Sequence, residues 1–180
     1  MLSGNRVAII VEEGFEESEL MESVKALKDA GAKVVMVGSD SQNVYQGKRK
    51  KSQIKININA VEANASDFDA VIITGAYTPE KKPLHQSIVD MIKEAFDSGK
   101  IVAAICHGPR LLILAGILEG RRVTSWPSMG IDLRNVGADW VDEAVVRDGN
   151  LITSRKPVDI PKFNKAIIDA LKERYGIDKS

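Results

Sequence analysis

The stretch Ile101-Val102-Ala103-Ala104-Ile105-Cys106-His107-Gly108-Pro109 decides the fold. Five apolar residues in unbroken succession read as a strand buried on both faces, as in a parallel sheet. The run stops at Cys106-His107. Gly108-Pro109 then opens a Leu- and Ile-rich helix expected from about Arg110 to Leu118, with proline early in its first turn. A side chain on such a strand-to-helix turn is held up at the sheet edge, as in a nucleophile elbow. Here that side chain is Cys106, the chain's one cysteine.

Working outward, the same alternation recurs. Val7 to Val11, Val34 to Val37 and Ala70 to Ile73 are further buried runs. Leu20, Met21, Val24 and Leu27 repeat at helical spacing before the stop at Ala30-Gly31; Ile88, Val89, Ile92 and Phe96 mark a second helix. Ile54, Ile56 and Ile58 alternate and predict one short half-exposed strand. Val145-Val146 and Leu151-Ile152 flank Asp148-Gly149 as a hairpin, and Phe163, Ile167, Ile168 and Leu171 mark a last helix. Strands alternating with helices predict an α/β fold with a mostly parallel sheet covered on both faces, built as a single domain over residues 1–180. Ligands in such sheets bind beyond the carboxyl ends of the strands. The rule selects three loops: Glu12 to Glu17, Gly75 to Glu80, and Cys106 to Pro109.

Composition limits the function classes. The 180 residues are 44% hydrophobic and 28% charged, and 25 basic side chains balance 25 acidic ones. That balance supplies no bulk field for nucleic acid or an anionic membrane. The one basic cluster, Lys48-Arg49-Lys50-Lys51, reads as a solvated loop or a local anion contact. No targeting segment or membrane span is visible, and one cysteine agrees with a reducing compartment, so a cytoplasmic location is expected. No Gly-rich phosphate loop and no zinc-ligand cluster is present in the sequence, so no cofactor or metal is expected.

The helix start beside Cys106 offers positive potential that favours thiolate over thiol, so a reactive sulfur is expected. His107, next to it, reads either as a polar helix-start residue or as a general base and acid. Glu16 lies in the acidic loop Glu12-Glu13-Gly14-Phe15-Glu16-Glu17. It either offsets the helix dipole or faces the thiol, and a carboxyl buried beside a thiolate would hold its proton and donate a hydrogen bond. His85 reads as a surface residue.

The run Ala103 to Pro109, with Leu111-Leu112 and Ala115-Gly116-Ile117-Leu118, resembles the nucleophile region of PfpI-type intracellular proteases and deglycases. The likeness continues through Thr124-Ser125-Trp126-Pro127, Gly137-Ala138-Asp139-Trp140, Asp148-Gly149-Asn150 and Ser154-Arg155, and upstream through Gly14 to Leu20 and Thr78-Pro79-Glu80. The resemblance implies a flavodoxin-like three-layer sandwich within the class I glutamine amidotransferase-like superfamily, which also holds a stress-protective protein linked to parkinsonism. It implies that Cys106 is the nucleophile, His107 the catalytic histidine, and Glu16 the acid at the thiol. Glu80 would complete a triad from a neighbouring subunit. Backbone amides near Gly75 and His107 would form the oxyanion hole. It further implies a homo-oligomer, a dimer or a hexamer of dimers. The loop departs from the family's paired glycines at Ala76, and Tyr77 would narrow the mouth.

The expected function is a cysteine hydrolase acting on small carbonyl adducts, glyoxalase- or deglycase-like, or on peptides. The alternative is a redox-responsive stress-protective or chaperone-like protein without turnover.

Overall fold

The β-branched runs form the centre of the molecule because continuous apolar sequence can be satisfied only where both sheet faces are covered. The computed structural model describes residues 1–39, 43–75 and 86–175. Its elements in chain order are β1 (Arg6–Val11), α1 (Glu17–Asp29), β2 (Lys33–Gly38), β3 (Val44–Gln46), β4 (Gln53–Lys55), β5 (Ile58–Asn59), β6 (Ala70–Ile73), α2 (Gln86–Asp97), β7 (Ile101–Ile105), α3 (Pro109–Ala115), β8 (Arg122–Val123), α4 (Gly130–Asn135), β9 (Asp139–Trp140), β10 (Val145–Asp148), β11 (Leu151–Ser154) and α5 (Ile160–Tyr175).

The main sheet runs β10-β11-β7-β6-β1-β2-β5, parallel throughout except for the β10–β11 hairpin. Its five central parallel strands have the flavodoxin-like order, with the connection reversing direction between β1 and β6. Alternate residues of each strand feed two cores. Ala8, Ile10, Val71, Ile73, Val102 and Ala104 face α2 and α3 on one side. Val7, Ile9, Ile72, Ile101, Ala103 and Ile105 face α1 and α5 on the other. Every residue of β7 is at most 2% exposed. Removing each large side chain from water contributes roughly 1.5–3 kcal/mol before entropy is counted.

Two expectations need correction. Ile54, Ile56 and Ile58 do not form one strand: β4 pairs antiparallel with β3, while β5 pairs parallel with β2 at the sheet edge. Their alternation is produced by two short strands in different sheets, with Ile56 buried between them. The helix after Cys106 ends at Ala115 because Gly116 takes a left-handed φ of 67°. Ile117 and Leu118 are apolar because the following loop is buried, not because the helix continues.

The topology brings the predicted loops together. The Glu16 N–H donates to the Gly75 carbonyl at 2.8 Å, stitching the start of α1 to the end of β6. Gly75 lies against Cys106, which follows the next strand, β7.

Candidate active site

Cys106 holds a φ of 63°. This left-handed conformation costs a non-glycine residue of order 1–3 kcal/mol and persists only when its surroundings fix it. Backbone hydrogen bonds supply that fixing. The Cys106 N–H donates to the Ser154 carbonyl at 3.1 Å, and the Trp126 N–H donates to the Cys106 carbonyl at 2.9 Å. Gly108 completes the turn: a Cβ there would stand 2.7 Å from the Ile73 carbonyl oxygen and 3.0 Å from that of Ile105. The Cys-His-Gly spacing is therefore a steric requirement of the elbow.

His107 and Glu19 flank the sulfur. The His107 Nδ1 is 3.3 Å from Cys106 Sγ, and its ring stacks on Trp126 with centroids 5.7 Å apart. Burial, followed by the positive charges of Lys48 and Arg110, pushes His107 below the ordinary imidazole range. A neutral imidazole at neutral pH has a nitrogen lone pair that can take the thiol proton.

On the inner side lies Glu19, fully buried. Its Oε2 accepts the Gly75 N–H at 2.7 Å. Its Oε1 is buried with no nitrogen or oxygen partner among the described residues, and the neighbouring thiol is the group left to it. Burial pushes the carboxyl up to about 7, and the Glu16 charge acts in the same direction; the Gly75 N–H, the thiol and Lys48 pull it down. Near neutrality Glu19 is therefore divided between acid and carboxylate.

The carboxyl at the sulfur is Glu19, not Glu16. Glu16 occupies the position before the first turn of α1, where its Oε1 accepts from Ser18 Oγ at 3.4 Å and its Oε2 lies 3.9 Å from Lys48 Nζ. One turn later the helix rotates Glu19 inward. Its sequence signal was its place in the buried stripe with Leu20, Ser23, Val24 and Leu27: a charged residue on the core face of an amphipathic helix.

The sulfur's surroundings work against the helix start. Burial, then the Glu19 carboxylate and more weakly Glu16, pushes the Cys106 thiol above the ordinary range, and the His107 backbone N–H opposes them. Burial of Cys106, a residue only 8% exposed, opposes the positive potential at the start of the seven-residue α3. The two amides expected to form the oxyanion hole are likewise engaged in the resting site, Gly75 N–H with Glu19 and His107 N–H with the sulfur. Gly75 is required for another reason: a Cβ would sit 2.6 Å from Glu19 Oε2 and 3.2 Å from Cys106 Cβ. Glu80, Ala76, Tyr77 and His85 lie outside the described residues.

Among the described residues no helix is long and apolar enough to cross a membrane, and no group of three His, Cys, Asp or Glu side chains is arranged to hold a metal ion.

The chain is similar to proteins of known name. Residues 5–170 match the DJ-1/PfpI family model. The chain is 37% identical to General stress protein 18 of Bacillus subtilis over 171 residues, 94% of this chain and 99% of that protein. It is 40% identical to a deglycase of Pyrococcus abyssi, covering 93% and 99% of the two chains. A further Bacillus subtilis relative, YraA, named as a candidate cysteine protease, is 35% identical over 93% and 98%. Among solved structures, a two-domain Anabaena variabilis protein with DJ-1/ThiJ/PfpI-like and ferritin-like domains superposes with a TM-score of 0.89 at 42% identity. The match covers 93% of this chain and 50% of that one.

Proposed function

The chain belongs to the DJ-1/PfpI family, and on that premise we propose that it is a cysteine-dependent hydrolase acting through Cys106 on small carbonyl adducts, as a deglycase does. The observation that carries this reading is a single sulfur set between His107 Nδ1 at 3.3 Å and a buried carboxyl that titrates near 7. A nucleophile between two proton acceptors is the minimum apparatus for addition to a carbonyl followed by proton transfer on the adduct.

His107 takes the thiol proton and Sγ bonds to the aldehyde carbon of an α-oxoaldehyde unit, displacing the amine or thiol that carried it. The resulting hemithioacetal loses its carbon-bound proton to the site and regains one at the adjacent carbon, which makes a thioester of a 2-hydroxy acid. Water cleaves the thioester, releasing the acid and restoring the thiol. The balance is adduct plus water giving amine or thiol plus 2-hydroxy acid, with no oxidant or reductant. Because Gly75 N–H and His107 N–H are engaged at rest, oxyanion stabilisation has to be gained as the sulfur and Glu19 exchange partners during addition.

The 8% exposure of Cys106 favours a small substrate over an extended polypeptide, which needs an open cleft. The test offers the hemithioacetal of methylglyoxal and N-acetylcysteine to the wild-type chain and to Cys106→Ala, with lactate and free thiol as readouts. Release by the wild type alone supports the reading, and equal rates in both reject it. Casein digestion in place of lactate release would favour the peptidase, and a sulfinic Cys106 after mild peroxide without any turnover would favour the redox role. A homo-oligomeric state, a cytoplasmic setting and a Glu80 contributed by a neighbouring subunit belong to the same proposal. Activity followed across gel-filtration fractions tests the assembly.

A further inference from the structure

Trp126 stands beside the nucleophile, 36% exposed, with its indole stacked on the His107 ring at 5.7 Å between centroids and 26° between planes. Its placement is fixed through the backbone on either side. The Trp126 N–H donates to the Cys106 carbonyl at 2.9 Å, which ties the indole to the elbow itself. The Trp126 carbonyl accepts Ser125 Oγ at 2.8 Å and the Met129 N–H at 2.9 Å. Ser125 is fully buried, and its Oγ accepts the indole N–H of Trp140 at 3.0 Å. Trp140 is located in turn by β9, which pairs with β8, and by Gly130, where a Cβ would stand 3.1 Å from the Trp140 ring. One residue upstream, the Thr124 N–H donates to Thr153 Oγ1 of β11 at 2.9 Å. The loop after β8 therefore presents a tryptophan face to the imidazole on a hydrogen-bonded frame.

The charge that His107 acquires gives this face its use. In the proposed reaction the thiol proton moves from Cys106 Sγ to His107 Nδ1, 3.3 Å away, leaving a thiolate and an imidazolium. Burial, then Lys48 of the loop joining β3 to β4 and Arg110 of α3, oppose positive charge on that ring. Glu16 Oε2, 3.9 Å from Lys48 Nζ, tempers the lysine, and the carboxylates of Glu19 and Glu16 act on the sulfur. An indole carries negative potential on its face and attracts a cation within about 6 Å of its centroid. A neutral imidazole gains nothing from that attraction. The contribution of the indole therefore grows as the proton arrives, which is where rate is gained.

We propose that Trp126 is a positioning residue that holds the His107 imidazole against Cys106 Sγ and supports its positive charge, with Ser125 and Trp140 fixing the indole. The proposal rests on the hydrolase reading for its effect on turnover, whereas the contact itself is measured without substrate. The chain has two tryptophans and two histidines. Biosynthetic exchange of tryptophan for its mono-, di- and trifluorinated forms withdraws charge from the ring face at nearly constant shape. NMR then titrates the imidazoles, and His107→Gln identifies the His107 signal. The His107 pKa should fall stepwise with fluorine number, by about half a pH unit over the series. In Trp126→Phe, which leaves fluorotryptophan at position 140 alone, it should not respond to fluorine. A His107 pKa indifferent to fluorine in the wild type, or one that still follows it in Trp126→Phe, overturns the proposal. Ser125→Ala should weaken the dependence, and an unchanged slope removes Ser125 and Trp140 from the frame.

Turnover of the methylglyoxal–N-acetylcysteine hemithioacetal is followed across pH on the same proteins. The acid limb of kcat/KM should move to lower pH together with the His107 pKa, and kcat above the limb should fall about twofold. A limb that stays fixed while the NMR pKa moves overturns the role in turnover. Turnover with both indifferent to fluorine sinks the role of Trp126 and spares the hydrolase. Absence of turnover, with an NMR pKa that still follows fluorine, sinks the hydrolase and spares the contact.

Discussion

Glu19→Gln isolates the energetic consequence of burying an ionisable carboxyl beside a thiol. In the folded chain the Glu19 carboxyl titrates at about 7, against 4.5 in its unperturbed state. Between these values the folded state binds more protons than the unfolded state, so stability falls as pH rises. At 1.36 kcal/mol per pH unit of displacement, the loss accumulated from pH 4 to pH 8 is about 3 kcal/mol. Glutamine keeps the essential contacts, since its carbonyl can accept the Gly75 N–H and its amide can face the sulfur, but it cannot ionise. The difference in unfolding free energy between Glu19→Gln and wild type should therefore grow in the variant's favour by about 3 kcal/mol over that range. At the top of the range it should appear as roughly 6–12 °C in Tm for a domain of this size. His107, pushed below 6.5, acts in the opposite direction: its contribution is lost as pH falls through the unfolded-state value. It does so equally in both proteins and cancels in the difference. Urea titrations at pH 4, 5, 6, 7 and 8 supply the measurement. Parallel stability curves for the two proteins would refute the claim that Glu19 holds its proton to near neutrality.

Other perturbations address separate parts of the site. His107→Gln should lower kcat by about 10²–10⁴-fold and abolish the decline in rate on acidification below pH 6.5, read from a pH–rate profile. Gly108→Ala drives a Cβ against two backbone carbonyls, so it should destabilise by about 1–3 kcal/mol in thermal unfolding and slow Cys106 alkylation as the elbow shifts. Glu17→Ala removes the acceptor shared by the Arg49 N–H and Ser52 Oγ; hydrogen exchange at Arg49 should accelerate about tenfold while β7 amides keep their protection.

The sheet was legible because β1, β2, β6 and β7 are unbroken apolar runs, and such runs tolerate one environment, the centre of a parallel sheet. The elbow was legible because a strand that ends in Cys-His-Gly-Pro has few ways to turn. What sequence did not carry was rotation and depth. Glu16 and Glu19 are three residues apart in a run of similar carboxyls, and only the facing of α1 decides which enters the core. The sulfur's surroundings were hidden for a related reason: the helix start was visible, whereas the desolvation that opposes it depends on how tightly Gly75, Glu19 and His107 close around Cys106. Pairing across sheets was equally hidden, so the Ile54-Ile56-Ile58 alternation did not reveal its division between two sheets.

These corrections change what kind of nucleophile Cys106 is. A helix start contributes about 0.3–1 kcal/mol toward a nearby negative charge. The rise of the Glu19 carboxyl to about 7 corresponds to about 3 kcal/mol of opposition to charge in the same cavity. Two acids buried side by side cannot both ionise cheaply, so they titrate as a pair that holds one proton near neutrality. With the proton on sulfur, Glu19 is a carboxylate tied to Gly75 N–H; with the proton on Glu19 Oε1, the acid can donate to a thiolate. His107, exposed on the outer side and kept neutral, is the route by which the thiol proton leaves when a carbonyl arrives. Thiolate is then formed at the moment of addition instead of standing ready, which limits side reactions of the resting sulfur. It follows that alkylation of Cys106 by a neutral reagent should rise through pH 7, where the pair passes from two protons to one and the form with thiolate beside a protonated Glu19 first becomes available. An ordinary low-pKa cysteine would be fully reactive already at pH 6, and a flat profile from pH 6 to 9 would show that Cys106 is of that kind.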